Sequence, residues 1–300
     1  MTERIRIAVV ALDMVKYAEL AAFGRHMEDI AEAAKAGDAD VLLLPEFTCL
    51  GLLWTDEAAG RTDVGAVADL YERVLTPLAA DYRQILSDIA TKAGLMIAGA
   101  SLWHRETGRG CNSAYVFGPD GSVLRQDKLH PTRPERAIGT IGGEALAVLE
   151  FADVRMGIAV CYDIQFPEVC RHLAEAGAEV ILVPSFTDQR GYWRVRHCAH
   201  ARAVENQCFV CVSPLLGSLA IPCDRPLYGH GAAYVACPID DRFAVADGTL
   251  AQIAYDRPGL LFAELDLELL RLSRERAEIR PLADRRGDLY RSLAVRLERV

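Results

Sequence analysis

Three residues of this 300-residue chain pair a reactive side chain with the same kind of location. Cys161 ends the apolar run Val154-Arg-Met-Gly-Ile-Ala-Val-Cys161, ahead of a short polar turn and a helical pattern over 166–177. Glu46 ends Val41-Leu-Leu-Leu-Pro45-Glu46, and Lys128 ends the alternating run that begins at Val123. A thiol just before a helix N-terminus meets free backbone N–H groups and the positive end of the helix dipole, which favour a thiolate. A neighbouring carboxylate would take the thiol proton and pass it to a leaving amine. The thiolate would attack an electrophilic carbon. Lys128 and the backbone N–H of Tyr162 would stabilise the resulting oxyanion. Water activated by Glu46 would then hydrolyse the thioester. Each residue also has an ordinary reading. A cysteine on an apolar strand usually packs, a Pro-Glu after a strand is usually a solvated turn, and a strand-end lysine is usually a surface charge. The coincidence of three strand ends, where α/β proteins gather ligands, favours chemistry.

The elements that must bring these residues together follow from periodicity and turn signals. Residues 5–12 read as a buried strand, and 17–35 as an amphipathic helix closed by Gly37. A second buried strand leads to Glu46, residues 48–65 read as a loop, and 66–93 as a long helix with Pro77 as a possible break. A strand over 95–101 follows. Strands 112–117 and 123–128 pair across Gly118-Pro-Asp-Gly121. Residues 129–143 read as an irregular loop, and strands 145–151 and 154–161 as a hairpin across Ala152-Asp153. Beyond Cys161 come a helix (166–176), a strand (180–184), a helix (192–206) and a strand (208–213). Short strands near 231–237, 250–255 and 260–266 and a charged helix from about Asp266 complete the chain.

The segment Ala36-Gly-Asp-Ala-Asp-Val-Leu-Leu-Leu-Pro-Glu46-Phe-Thr48 echoes Ala176-Gly-Ala-Glu-Val-Ile-Leu-Val-Pro-Ser185-Phe-Thr187. Such an echo predicts two sheets related by a pseudo-two-fold, each covered by helices on its outer face. Strands buried on both faces account for the continuous apolar runs. The expectation is an α/β protein with a single four-layer α-β-β-α domain. Residues 1–270 would form its body, with 271–300 as a C-terminal extension of the same domain.

Composition limits the partners. The net charge of −9 and the lack of a long basic run argue against nucleic acid or an anionic membrane surface. No apolar stretch approaches the roughly 18 residues of a membrane span. The N-terminus turns polar too early for a secretory signal, and nine irregularly spaced cysteines suggest free thiols in a reducing cytosol. A cytoplasmic protein is expected. His197-Cys-Ala-His200 with Cys208-Phe-Val-Cys211 invites a zinc reading, but Cys208 and Cys211 would point to opposite faces of a strand. No metal is expected, and the chain has no phosphate loop, dinucleotide fingerprint or Gly-x-Ser-x-Gly elbow.

The segments Leu42-Leu-Leu-Pro-Glu46-Phe47, Asp127-Lys128-Leu-His-Pro-Thr-Arg-Pro-Glu135-Arg136 and Cys161-Tyr-Asp-Ile-Gln-Phe-Pro-Glu168 resemble the Glu, Lys and Cys signatures of the nitrilase, or carbon–nitrogen hydrolase, superfamily. Asn112-Ser-Ala-Tyr-Val-Phe-Gly-Pro-Asp-Gly121, Ala201-Arg-Ala-Val-Glu205-Asn206-Gln207 and Asp284-Arg-Arg-Gly-Asp-Leu-Tyr290 also fit, so the resemblance spans nearly the whole chain. It implies the four-layer sandwich, a thiol-acyl mechanism without metal or organic cofactor, and a homodimer. That dimer would be joined through helices near the nucleophile and extended by the C-terminal segment. Glu135 resembles a second glutamate that would keep Lys128 charged and position substrate. Alternatively, it is a loop carboxylate paired with Arg133 or Arg136.

The Cys-Tyr-Asp segment looks like amidases and carbamoylases, whereas the lysine segment looks like true nitrilases. The run from Pro184 to Arg196 resembles a branch with members fused to an acetyltransferase domain, for which these residues leave no room. Ser185, at the position echoing Glu46, either lines the pocket or is structural. Phe47, Trp54, Tyr192 and Trp193 either wall the substrate or simply pack. Arg194 and Arg196 either bind a substrate carboxylate or serve the fold. The expected function is hydrolysis of a small linear amide or carbamoyl compound to acid and ammonia. The alternatives are hydrolysis of a nitrile, and a catalytically inactive binding scaffold.

Overall fold

The computed structural model describes residues 3–61, 68–221, 228–292 and 294. One sheet is built from β1 (Arg4–Asp13), β2 (Val41–Leu43), β3 (Met96–Glu106), β4 (Arg109–Phe117) and β5 (Val123–Asp127). Its first three strands are parallel and the rest follow as hairpins. The second sheet contains β6 (Val148–Phe151), β7 (Val154–Ile158), β8 (Val180–Ser185) and β9 (Phe209–Ser218), with β7, β8 and β9 parallel. The strand order is β5-β4-β3-β2-β1-β9-β8-β7-β6. The sheets meet where Leu12 and Asp13 pair with Leu215 and Leu216.

Alternation along the strands assigns the layers. Ile5, Ile7 and Val9 of β1 face a central core shared with Met156, Ile158, Leu182 and Cys211 of the other sheet. Ala8, Val10 and Leu12 face outward onto α1 (Leu20–Ala36) and α2 (Thr76–Ala93) through Phe23, Met27, Tyr82 and Leu86. In the second sheet, Ile181, Val183, Val210 and Val212 pack outward on α4 (Pro167–Glu175) and α5 (Gln189–Asn206). The fold is the expected four-layer α-β-β-α sandwich. The echoing segments occupy matching places, β2 between β1 and β3, and β8 between β7 and β9.

Several boundaries differ from the periodicity reading. The expected loop 48–65 is built, as far as Arg61, from two 3-10 turns, Thr48–Thr55 and Glu57–Arg61. Its Leu50, Leu52 and Leu53 are buried, so the turns deliver apolar side chains to the outer core. The remainder of that loop and the expected helix start at 66–67 lie outside the described residues. Pro77 does not break the following helix. A wide turn over Tyr71–Leu75 relaxes the hydrogen-bond ladder where proline has no N–H to give. The segment 129–143 is not wholly irregular, because α3 (Arg133–Ala137) forms within it. The expected step from body to extension at 270/271 falls inside α6 (Leu267–Arg276), whose Arg274 donates to the carbonyls of Gln207 and Ala178 at 2.7 and 2.8 Å. Residues 293 and 295–300 of that extension lie outside the described residues.

One irregularity bears directly on the site. The register of β3 against β4 shifts between Gly99 and Leu102, a bulge that re-aims Ser101. Gly99 has φ +89°, and a Cβ there would stand 2.1 Å from the Leu44 carbonyl oxygen. Glycine is therefore required where β3 passes behind the approach to Glu46. Gly99→Ala should cost about 1–3 kcal/mol from the dihedral alone, with the clash adding to it. Urea denaturation would measure the loss, and a midpoint equal to wild type would show that the bulge relaxes freely.

Candidate active site

Glu46 stands three residues beyond β2, held by the segment around it. Phe47 N–H donates to Ser101 Oγ at 2.9 Å, and Thr48 Oγ1 donates to the Pro45 carbonyl at 2.8 Å. Phe47 adopts a left-handed backbone (φ +56°), which turns the chain sharply after the carboxylate. Lys128 follows β5, its N–H donating to the Asn112 carbonyl of β4 at 2.9 Å. Cys161 lies beyond β7, which ends at Ile158 rather than at the cysteine. It opens the 3-10 turn Cys161–Gln165 with φ +50°. A non-glycine residue in that region is strained, and such strain is found where a reactive group must project from the chain.

The three side chains converge, and all are buried. Lys128 Nζ donates to Glu46 Oε1 at 2.7 Å and to Glu135 Oε2 at 2.8 Å. Asn112 Nδ2 donates to both glutamates, to Oε1 of each at 2.9 Å. Glu46 Oε2 accepts the Phe186 N–H at 3.0 Å, and the Cys161 thiol is an electrostatic neighbour of the Glu46 carboxylate. The thiol lies 3.6 Å from the Phe186 carbonyl, and Ser185 Oγ donates to the sulfur at 3.6 Å. The echo between Glu46 and Ser185 thus brings both residues onto one cysteine. Glu135 sits on α3 and not against Arg133 or Arg136. Its Oε2 also accepts the N–H and hydroxyl of Thr132, each at 2.7 Å.

The charges follow from these contacts. Burial alone would drive the proton off Lys128, but the carboxylates of Glu46 and Glu135 outweigh it and hold the ammonium well above its usual range. Burial would raise Glu135 as well, yet Lys128 and the donors from Asn112 and Thr132 keep it below the usual carboxylate range. Burial raises Glu46, and Lys128 only partly opposes it. The pair therefore divides: Glu135 is fixed as an anion, while Glu46 is poised to accept a proton. Cys161 departs from the sequence expectation of a resting thiolate. Burial first, and the Glu46 carboxylate second, push its pKa far above the ordinary thiol value. The helix dipole does not win because α4 begins six residues later, at Pro167, and an anion faces the sulfur. The arrangement can move a proton from sulfur to carboxylate as a new bond forms at sulfur.

The other candidates divide by position. Phe47 lies edge-on to Phe186 at 6.2 Å, next to the backbone that holds Glu46 and Cys161. Trp54 is half-buried under Lys16, whose ammonium sits 3.7 Å above its ring. Tyr192 packs in the outer core of α5 against Tyr255 and Tyr234, at 5.0 and 6.5 Å. Trp193 is 48% exposed. Arg196 lies over the Tyr234 ring at 5.0 Å, and Arg194 is exposed. Cys211 faces the central core and Cys208 the outer one, as the strand parity requires. Among the described residues no group of three or more His, Cys, Asp or Glu could hold a metal. No helix among them is long and apolar enough to cross a membrane. Tyr162 heads the turn after Cys161 with its ring edge-on to Phe166 at 5.0 Å. Two site residues lay within the motifs without being singled out. One is Asn112. The other is Asp163, which accepts the N–H groups of Leu129 and His130 at 3.1 and 2.8 Å and so ties the cysteine turn to the lysine loop.

The four-layer sandwich gathers a buried glutamate, lysine and cysteine just beyond the ends of its strands. A family model described as carbon–nitrogen hydrolase matches residues 6–275, and the chain belongs to that family. A probable hydrolase, YhcX, of Bacillus subtilis (strain 168) is 32% identical over 95% of this chain; the chain spans about half (54%) of that relative's length. The omega-amidase NIT2 of Danio rerio is 27% identical, with 96% of each chain covered. A double mutant of the amidase from Nesterenkonia sp. AN1, in complex with acrylamide, shares the fold at a TM-score of 0.73 and 23% identity, with 98% of each chain covered.

Proposed function

We propose that this protein hydrolyses a small amide to the acid and ammonia through a thioester on Cys161. The observation that carries the reading is the buried convergence of Glu46, Lys128 and Cys161, with Lys128 bonded to Glu46 and Glu135 at 2.7 and 2.8 Å. Attack forms a bond from Sγ to the amide carbon while Glu46 takes the thiol proton. Lys128 and the Tyr162 N–H bind the developing oxyanion. The carbon–nitrogen bond then breaks, and Glu46 protonates the departing amine. Water, deprotonated by Glu46, attacks the thioester, and the proton returns to the sulfur as the acid leaves. The relatives named as amidases support an amide over a nitrile. Glu135 holds Lys128 charged, and Ser185 and Phe47 line the thiol side of the pocket.

Intact-mass spectrometry of the protein with amide and nitrile panels, alongside ammonia release, tests this reading. An acyl adduct on Cys161 from amides supports it. Adducts from nitriles alone would replace it with nitrile hydrolysis, and binding without product would support a scaffold. Glu46→Gln should lower kcat by roughly 10²–10⁴-fold, since a neutral amide cannot accept the proton. The ionised form of Glu46 is the base and burial raises its pKa. In the wild type kcat/KM should therefore fall on acidification at a pH above the usual glutamate value of about 4.3. An acid limb at or below that value would argue against Glu46 as the base.

A further inference from the structure

We infer that Asn112 is a positioning residue for the proposed reaction: with Lys128 it holds Oε1 of Glu46 and so fixes how the carboxylate is turned beside Cys161. The inference rests on the amidase reading above for its catalytic consequence, but its geometry stands apart from the choice of substrate. Lys128, Glu46, Asn112 and Glu135 form a closed ring of hydrogen bonds, with Nδ2 at 2.9 Å from both carboxylates and Nζ at 2.7 and 2.8 Å. Both partners of the Asn112 amide are carboxylate oxygens, so only its NH2 end can face them. Its Oδ1 is consequently turned away, and it is buried with no hydrogen-bond partner among the described residues. An unpaired buried acceptor is costly. A serine here would avoid that cost but would supply one donor in place of two. The orphaned oxygen therefore marks what the position is for: two donors from a single atom, aimed at two anions.

Glu46 Oε1 already accepts from Lys128 and Asn112, and any rotation of the carboxylate away from this orientation, short of exchanging its two equivalent oxygens, would break both bonds. The opposite oxygen keeps one backbone donor, Phe186 N–H at 3.0 Å. The strand makes this possible. Asn112 shares the inward parity of Ala114 and Val116 on β4, and its carbonyl accepts the Lys128 N–H at 2.9 Å. One residue thus registers the lysine backbone and both of the lysine's anions. The charged and titratable groups facing Glu46 are Lys128, Glu135 and Cys161.

Two variants and two readouts test the role. Asn112→Ala removes both donors, and Asn112→Asp keeps the shape while replacing a donor with an acceptor. Alkylation of Cys161 by iodoacetamide across pH, followed by peptide mass mapping, reports the thiol–carboxylate pair without any amide substrate. Donors favour the ionised carboxylate, so their loss should move the alkylation profile to higher pH. On an amide that wild type turns over, kcat should fall roughly 10- to 100-fold, the scale of a misplaced reacting group, with KM little changed. Asn112→Asp should lose more at pH 8 than at pH 5.5, where a protonated side chain can donate again. A folded variant, by circular dichroism, whose alkylation profile and kcat match wild type overturns the inference. If Asn112→Ala does not fold, the pH dependence of Asn112→Asp decides it. If wild type turns over no amide, the amidase reading fails while the alkylation profile still judges Asn112.

Discussion

Cys161→Ala should abolish turnover completely and leave the fold intact. The substitution removes the sulfur that would carry the acyl group, which accepts from Ser185 Oγ at 3.6 Å. Alanine keeps a Cβ at the same strained φ of +50°, so the backbone cost is unchanged. The loss of one buried sulfur should alter stability by only about 1 kcal/mol. A matched thermal melt with zero ammonia release and no acyl adduct is the expected result. Turnover that survives the substitution would remove the thioester route altogether.

Lys128→Ala should damage both chemistry and stability, and the second effect should depend on pH. Removing one oxyanion donor costs roughly 10²–10³-fold in kcat. It also leaves Glu46 and Glu135 as two buried carboxylates bridged by Asn112 with no cation between them. Breaking a buried ion pair in this way costs roughly 3–5 kcal/mol. In the variant, burial and mutual repulsion would raise both folded carboxylates above their unfolded values. Their contribution is then intact below the unfolded pKa and is lost as pH rises through the folded one. Denaturation at pH 5 and pH 8 should show a much larger deficit at pH 8. Equal deficits would mean that the lysine matters for packing and not for charge.

The sandwich was readable because each β-strand run alternates between two apolar environments, and the echo around Glu46 and Ser185 disclosed its two halves. Glu46, Lys128 and Cys161 stood out for the same reason: each is a polar residue where an apolar run stops. The state of the thiol was not readable. A dipole reading saw only the helix that follows Cys161, whereas the deciding anion, Glu46, is 115 positions away in the chain. Glu135 lies on a helix too short for any period to betray. The family resemblance singled it out, and Thr132-Arg-Pro-Glu135 adds the spacing of a capping box as a local signal. The aromatic candidates fall in different places. Phe47 reached the thiol side because its neighbour is the base, whereas Tyr192 sits on a helix whose buried face points to an outer core. Local type alone does not say which face a ring will occupy.

The neutral resting thiol has a consequence outside the reaction cycle. Thiolates attack peroxide and disulfides far faster than thiols do. A sulfur that yields its proton to Glu46 only as a substrate carbon closes in, as proposed above, would offer little to such oxidants between turnovers. Ordinary nucleophilic cysteines trade durability for readiness. Here burial and the nearby Glu46 carboxylate hold the Cys161 pKa up, so slow oxidation of the resting thiol is the expected outcome.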